Sequence, residues 1–230
     1  MSIETRLIDA ATEGKVEFVR ELIHCKAALE CQDILRRTPL LLAASNGHLD
    51  VVQVLVEAKA NVEFRDDLGM TPLLWAVCEN SFEIVQLLVN SKAALEARDK
   101  TGRTPLLWAA YNGYPAVAKL LLDAKADMTV KDSQVNTAML LAVTNKKTEV
   151  VQALIDAKAP LEPRHPGELP LLMQIASFGN VDMARVAINA RANVNASLDG
   201  ISALMLALQQ DKIDIAELLL ASGATFSADD

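Results

Sequence analysis

The chain has 230 residues, of which 51% are apolar, 23% are charged and only 4% are aromatic. This apolar fraction is too high for an intrinsically disordered chain, and the apolar residues, mainly Ala, Leu and Val, favour packed helices over a sheet sandwich. The net charge of −8 argues against a general nucleic-acid binder, which normally has a basic excess.

The N-terminus and the cysteines give an expectation about the compartment. The first residues, Met1 to Arg6, lack the basic-then-apolar pattern of a secretion signal, and no apolar run approaches the roughly 20 residues that span a membrane. Cys25, Cys31 and Cys78 fit no disulfide or zinc-binding spacing. We therefore expect a protein of the cytoplasm, the nucleus or both, with no membrane and no nucleic acid as partner.

One unit recurs every 33 residues along the chain and is clearest from Asp99 to Lys131. It begins with turn chemistry, Asp-Lys-Thr-Gly, continues with a Thr-Pro helix start and ends with a Leu-rich amphipathic segment. Each unit is therefore expected to be a turn followed by two short antiparallel helices. The last copy is one residue short, with Ser202 at the helix start. In the earlier copies the helix-start position is Thr5, Thr38, Thr71, Thr104 and Thr137.

The two ends and the sixth copy depart from this pattern. The first copy has polar residues such as Arg6 and Asp9 at inward-facing helix positions, as expected of a capping repeat with one face in water. The sixth copy is crowded with prolines, and its segment 169–172 can be aligned in two registers. The sequence ends in a short acidic tail, Asp229–Asp230, which is expected to fray.

The pattern Asp-x-x-Gly-x-Thr-Pro-Leu, an Ala-Ala pair, a Gly-containing turn and a Leu-rich second helix resembles the ankyrin repeat, and the period agrees. The resemblance covers essentially the whole chain. It implies an all-α fold: an α-solenoid of stacked helix-turn-helix units, with hairpin-like finger loops along one edge and a concave face. We predict a single domain, 1–230, whose first and last repeats are caps. The predicted repeats are 1–32, 33–65, 66–98, 99–131, 132–164, 165–196 and 197–230.

Three positions differ from the usual ankyrin repeat. The His that normally follows Thr-Pro-Leu is replaced by Leu in four copies, so packing is expected to replace a polar brace. The finger glycine is kept at Gly69 and Gly102 but is Arg36 and Val135 elsewhere. We expect the Val135 finger to be reshaped, because a β-branched residue is strained at positive φ. The Gly that normally ends the second helix is a cation in six copies: Lys26, Lys59, Lys92, Lys125, Lys158 and Arg191.

These six cations form a ladder that has two interpretations. In the first, each cation interacts with its helix dipole, a gain of about 0.3–1 kcal/mol. Glu30, Glu63, Glu96 and Glu162, four residues after four of the lysines, would then neutralise them. In the second, the ladder binds an anion or an acidic partner. The weakness of exposed ion pairs favours the first interpretation.

The resemblance implies that partner contacts lie on the finger tips and at the end of each first helix. Several of these residues are apolar where solvent would otherwise demand polar groups; the alternative is that loop residues vary freely. Tyr111 with Arg98 and Arg103 is predicted as the energetic centre, because Tyr and Arg are enriched in such centres. Trp75 and Trp108 are expected instead to pack, with a partner for each indole N–H. The residues predicted to bind a partner are Ile34, Leu35, Arg37, Asn46, Arg65, Asp67, Leu68, Met70, Glu79, Arg98, Lys100, Arg103, Tyr111, Asn112, Lys131, Gln134 and Asn136.

Little in the sequence favours catalysis. The histidines, His24, His48 and His165, are far apart in the repeat order, and His48 lies at a position commonly His in ankyrin units. His24 with Cys25 and Cys31 lacks closed metal-ligand spacing, and Cys25 is expected to pack within its helix. No phosphate-binding loop or Ser–His–Asp arrangement can be assembled. We predict no catalytic residue, metal, cofactor or small-molecule substrate.

The sequence therefore predicts a non-catalytic module that binds another protein with its fingers and concave face and is monomeric alone. A rigid stack holds variable side chains in place, so that little entropy is lost on binding. A dedicated regulatory or assembly-chaperone subunit of a larger complex is the alternative among binding proteins. An enzyme is less favoured, as is an engineered scaffold, which would not have the irregular sixth repeat.

Overall fold

The computed structural model describes residues 2–163 and 167–225. His165 and the acidic tail Asp229–Asp230 lie outside the described residues. Within the described part, fourteen α-helices follow one another in seven pairs, which confirms the predicted all-α repeat fold. The helices are α1 (Ile3–Glu13), α2 (Val16–His24), α3 (Pro39–Ser45), α4 (Leu49–Glu57), α5 (Pro72–Cys78), α6 (Phe82–Asn90), α7 (Pro105–Asn112), α8 (Pro115–Asp123), α9 (Ala138–Thr144), α10 (Thr148–Asp156), α11 (Leu171–Phe178), α12 (Val181–Asn189), α13 (Ala203–Gln209) and α14 (Ile213–Ala221).

Hydroxyl caps begin the first helix of most pairs, as the sequence predicts. In five pairs a side-chain oxygen accepts a hydrogen bond of 3.2–3.4 Å from the N–H three residues later. The first copy differs, because Ser2 accepts the N–H of Thr5 and starts α1 three residues earlier. The predicted cap at Thr5 is therefore wrong. The five capping residues are Thr38, Thr71, Thr104, Thr137 and Ser202.

The sixth copy keeps the 33-residue register. Pro170 immediately precedes α11 and occupies the position of Thr104 and Thr137, so the copy is a plain repeat without insertion. Its inter-helix turn is different, because Gly179 is extended (φ −80°, ψ −158°). Asn180 then accepts the N–H of Met183 and caps α12 with its side chain.

The chain divides into two compact units, Met1–Ala109 with Leu120–Val135, and Ala110–Lys119 with Asn136–Asp230. In the first unit, α1, α3 and α5 pack in succession as one layer, and α2, α4 and α6 pack as a second layer. In the second unit, α9, α11 and α13 form one layer, and α10, α12 and α14 form the other. None of the described helices is long and apolar enough to cross a membrane.

The leucines that replace the usual histidine confirm the expected packing in the first unit. Leu41, Leu74 and Leu107 are fully buried, whereas Leu140 is half-buried. Each lies near the start of the first helix of its pair. A buried imidazole at this position would require a polar partner, whereas an aliphatic side chain requires none. These positions therefore contribute apolar burial instead of a polar brace.

The six cations of the ladder occupy the left-handed position normally taken by Gly, with φ between 62° and 73°. The glutamates expected to neutralise them bind elsewhere. Glu30, Glu63, Glu96 and Glu162 each accept a backbone N–H from the following repeat, at 2.7–2.9 Å. No described Lys of the ladder forms an ion pair with its glutamate. The neutralisation hypothesis is therefore wrong, and these carboxylates tie consecutive repeats together.

The Val135 finger keeps the ordinary turn, so its expected reshaping is wrong. Val135 has φ 66°, close to the φ of 77° and 78° at Gly69 and Gly102. The N–H of Val135 donates to Asp132 O at 3.0 Å, as the N–H of Gly102 donates to Asp99 O. The valine therefore accepts the strain that glycine avoids. In the last copy the finger is a two-stranded antiparallel hairpin, β1 (Ser197–Leu198) with β2 (Ile201–Ser202).

Candidate partner-binding surface

Four fingers are each built around one aspartate at the start of the turn. In the second finger, Asp66 Oδ1 accepts the N–H of Leu68 at 2.8 Å and that of Met70 at 2.9 Å. Such side-chain acceptors hold a turn in one conformation, because they satisfy N–H groups that have no ladder partner. Asp33, Asp99 and Asp132 make the same type of bond in their fingers.

Backbone bonds join these fingers into one row. The N–H of Asp67 donates to Leu35 O at 3.4 Å, that of Lys100 to Leu68 O at 3.0 Å, and that of Ser133 to Thr101 O at 3.1 Å. All four fingers lie in the first compact unit. We call residues 32–37, 65–70, 98–103 and 131–135 the finger row.

The tips of the finger row expose apolar side chains. Ile34 is 96% exposed, Leu35 50% and Leu68 56%, as the sequence predicts. Val135 is 64% exposed and was not among the predicted contacts, because the sequence drew attention only to its strain. Its apolar side chain at a finger tip was the available signal. Exposed apolar groups that recur in one row mark a surface suited to contact.

Met70 is the one predicted apolar contact that is not exposed. It is 5% exposed and packs in a cluster with Leu74 and Ala97, against Trp75 and Trp108. The N–H and C=O of Met70 both bond within the turn, which places the residue at the base of the finger. The expectation that Met70 is an exposed contact is therefore wrong.

The tryptophans pack as predicted, and each indole N–H has a partner. Trp75 Nε1 donates to Asp66 Oδ2 at 2.8 Å, and Trp108 Nε1 donates to Asp99 Oδ2 at 2.9 Å. One carboxylate therefore fixes both the finger turn and the aromatic ring below it. Arg103 completes this arrangement, with its guanidinium carbon 4.8 Å from the centre of the Trp108 ring.

Several predicted contact arginines also brace the row. Arg65 Nη1 donates to Arg98 O at 2.5 Å, and Arg98 Nη1 donates to Lys131 O at 3.1 Å. Arg37 and Arg103 are half-buried and lie against carboxylates of the row, with Arg37 Nε 2.8 Å from Asp33 Oδ2 and Arg103 Nε 3.5 Å from Asp132 Oδ2. Sequence reasoning missed the bond from Arg65 to Arg98 and the bond from Arg98 to Lys131, because each of these two bonds reaches a residue 33 positions away.

The exposed charges of the finger row are mostly basic. Asp67 is its exposed acidic residue, whereas the turn aspartates are buried or half-buried. The arginine and lysine side chains therefore dominate the field that an approaching partner meets. The exposed basic residues are Arg36, Arg65, Arg98 and Lys100.

The remaining predicted contacts lie at helix ends, in the fourth finger or in the second compact unit. Asn46 and Glu79 are exposed at the ends of α3 and α5, while Lys131 is half-buried and Gln134 is exposed. Three belong to the second compact unit, so Tyr111 lies in a different unit from the Arg98 and Arg103 grouped with it. Those three are Tyr111, which is exposed, and Asn112 and Asn136, which are half-buried.

Cysteines and histidines are the side chains considered as nucleophiles or metal ligands, and the surroundings of Cys31, Cys78 and His48 indicate structural roles. Burial raises the pKa of Cys31 to about 11, and burial with the carboxylates of Glu79 and Asp99 raises that of Cys78 to about 12, so both remain neutral thiols. His48 contacts Thr12 O through Nε2 at 2.9 Å, as expected of a structural histidine. The described residues contain no cluster of three or more potential metal ligands.

Cys25 corrects one expectation. It follows α2 and is exposed rather than packed within the helix, because α2 ends at His24. The expectation that Cys25 packs within its helix is therefore wrong.

Comparison with known proteins places the chain in a family. A family model described as ankyrin repeats matches three times, over residues 7–99, 91–164 and 139–230. A comparison with curated proteins gives no significant match. Ankyrin repeats generally serve as protein–protein interaction modules. Because the family model covers all but the first few residues, the chain belongs to the ankyrin-repeat family.

Proposed function

We propose that this chain is a non-catalytic module that binds a partner protein through the finger row of its first compact unit. The observation that carries the proposal is the combination of exposed apolar tips with rigid bases. Ile34, Leu35 and Leu68 project into solvent, although their fingers are held by turn aspartates and by finger-to-finger backbone bonds. Exposed apolar side chains that recur along a rigid edge are typical of a surface that contacts a partner.

Rigidity gives the proposed mechanism. Binding requires that side chains and loops be ordered, at about 0.5–1.5 kcal/mol for each immobilised side chain. The fingers are already ordered by Asp66 and its equivalents and by the Arg65 and Arg98 braces, so that only the tip side chains lose freedom. The partner is therefore recognised by a preorganised edge rather than by a loop that folds on contact.

Support for a non-catalytic role comes from the buried thiols and from the positions of the histidines. Cys31 and Cys78 remain protonated at neutral pH, and His48 contacts a backbone carbonyl. Three cysteine thiols without a disulfide would suit a reducing compartment such as the cytoplasm or nucleus. We include that location in the proposal.

The test is capture of partners from native lysate by the purified full chain with crosslinking. The double variant Leu35→Asp/Leu68→Asp places charges on two finger tips, and Leu220→Asp is the matched control, an exposed leucine on α14. We expect wild type and the control to capture the same protein and the double variant to lose it. Circular dichroism verifies that all three are folded.

Three results would count against the proposal or refine it. Identical capture by wild type and Leu35→Asp/Leu68→Asp would show that the finger row is not the binding surface. A partner held in fixed stoichiometry through purification would favour the regulatory or assembly-chaperone subunit over a loose adaptor. Substrate turnover abolished by Cys25→Ala would instead identify an enzyme.

A further inference from the structure

We propose that the finger row selects a partner segment that is acidic and also carries apolar side chains, and that Val135 is one of the contact residues. This inference rests on the proposed function and adds the chemistry of the partner. It follows from three features of the row: its charge relative to the whole chain, the alternation of apolar and basic side chains, and the backbone conformation of Val135.

The charge of the finger row is opposite to that of the protein. The row contains seven basic and five acidic residues, which leaves +2, whereas the chain carries −8. Four of the five acidic residues are turn aspartates whose carboxylates accept backbone N–H groups. A basic edge on an acidic protein attracts an acidic segment, whereas the acidic remainder of the protein repels that segment.

Apolar and basic side chains alternate along the tips. Arg36 follows Leu35 in the first finger, and Lys100 bonds through its N–H to Leu68 O, which places a lysine beside an apolar tip. A purely polyanionic ligand such as nucleic acid would match the cations but leave the apolar groups in water. A purely apolar surface would bury the cations without partners. A segment with both acidic and apolar residues pairs with the cations and also covers the apolar tips.

Val135 supplies an independent argument. Its φ of 66° is a conformation that a β-branched residue adopts at a cost, and the equivalent positions in the two preceding fingers are Gly69 and Gly102. Its side chain is mostly exposed, so folding gains little from it. A strained residue that does little for the fold and lies at the tip of a binding edge is explained if the partner contacts it.

The experiment selects peptides for binding to the immobilised full chain from a phage-displayed random library. Enriched peptides are labelled with fluorescein and titrated by fluorescence anisotropy. Arg36→Glu/Lys100→Glu reverses two tip charges. The control, Arg20→Glu/Lys119→Glu, makes the same change in net charge on exposed residues of α2 and α8. Val135→Gly removes the strained side chain, and Lys125→Gly is its control at another left-handed position outside the row.

We expect the enriched peptides to contain an excess of Asp and Glu together with aliphatic or aromatic residues. Arg36→Glu/Lys100→Glu should weaken their binding about tenfold, an effect that salt reduces. Val135→Gly should weaken binding about fivefold while raising the stability of the fold. Both control variants should bind within about twofold of wild type.

Different outcomes separate this inference from the proposed function. Peptides without an acidic excess that still require Leu35 and Leu68 would overturn the inference and leave the function intact. Peptides unaffected by Leu35→Asp/Leu68→Asp would overturn both. Displacement of the peptides by a single-stranded oligonucleotide at equal concentration would show that charge alone is recognised, which also overturns the inference. Unchanged binding by Val135→Gly would remove Val135 from the contact set.

Discussion

Replacing Val135 by Gly is expected to make the protein more stable. Val135 occupies the left-handed region at φ 66°, where L-residues other than Gly, and β-branched ones above all, are strained. Substitution of a larger residue by glycine usually destabilises a protein, so the direction of this effect is diagnostic. The change leaves the backbone bond from residue 135 to Asp132 O in place, since glycine retains the N–H.

The magnitude follows from three contributions. The left-handed conformation costs a β-branched residue about 2 kcal/mol, which Val135→Gly recovers. The lost side chain is 64% exposed, so about a third of a burial energy of roughly 1.5 kcal/mol is forfeited, or about 0.5 kcal/mol. Glycine increases the entropy of the unfolded chain at a cost of about 0.5–1 kcal/mol. The free energy of unfolding should therefore rise by about 0.5–1 kcal/mol.

Urea denaturation followed by tryptophan fluorescence provides the assay. Trp75 and Trp108 lie in the same compact unit as Val135, so their emission reports the unfolding of that unit. With an ordinary urea dependence the midpoint should rise by about 0.3–0.5 M. Gly102→Val is the reverse control, and it should destabilise because the added Cβ would lie 2.7 Å from Ser133 Oγ. A midpoint for Val135→Gly at or below wild type would refute the strain argument.

Three further predictions concern the carboxylates and thiols. Asp66→Ala should lower the free energy of unfolding by about 3 kcal/mol, because two backbone N–H groups and an indole N–H lose their acceptor. The control is Asp67→Ala at an exposed neighbour, which should change the free energy of unfolding by less than about 0.5 kcal/mol in the same urea titration. Burial by itself would raise the pKa of Asp33, but hydrogen bonds from neighbouring N–H groups hold that pKa below its ordinary 3.8. The stability that its charge provides is therefore present above 3.8 and lost as pH falls through the folded pKa, so the deficit of Asp33→Asn should shrink in acid. In a thiol titration with a disulfide reagent, Cys25 should react quickly and Cys78 only on unfolding, because the pKa of Cys78 is raised to about 12.

Local chemistry explains which parts of the fold could be predicted. The cap of a helix depends on residues three apart, so Thr71 and Thr104 could be assigned from sequence and are confirmed. The cap at Thr5 was predicted wrongly because the 33-residue register was extended to the first copy. In the structure the hydroxyl of Ser2 caps that helix instead. The exposed tips Ile34 and Leu68 could be predicted because a short turn between two paired segments has nowhere to bury them.

Contacts between consecutive repeats explain what could not be predicted. Glu63 was assigned to a lysine four residues before it, but its carboxylate lies 2.7 Å from the N–H of Ala94, 31 residues later. Arg65 was predicted only as a partner contact, but its guanidinium bonds to the carbonyl of Arg98. In each case one side chain has two possible partners. The sequence alone does not show which of the two lies within hydrogen-bonding distance.

The sequence by itself determined the family, the period, the helix pairs and the turn-forming residues, because each depends on groups within one repeat. The tertiary structure decided which of the variable side chains remain available. Stacking buries Met70, commits Arg65 and Arg98 to neighbouring carbonyls and leaves Leu68 in solvent. Stacking also decided that Val135 keeps its turn, because the bonds that fix each finger constrain the backbone more strongly than the preference of one valine opposes it.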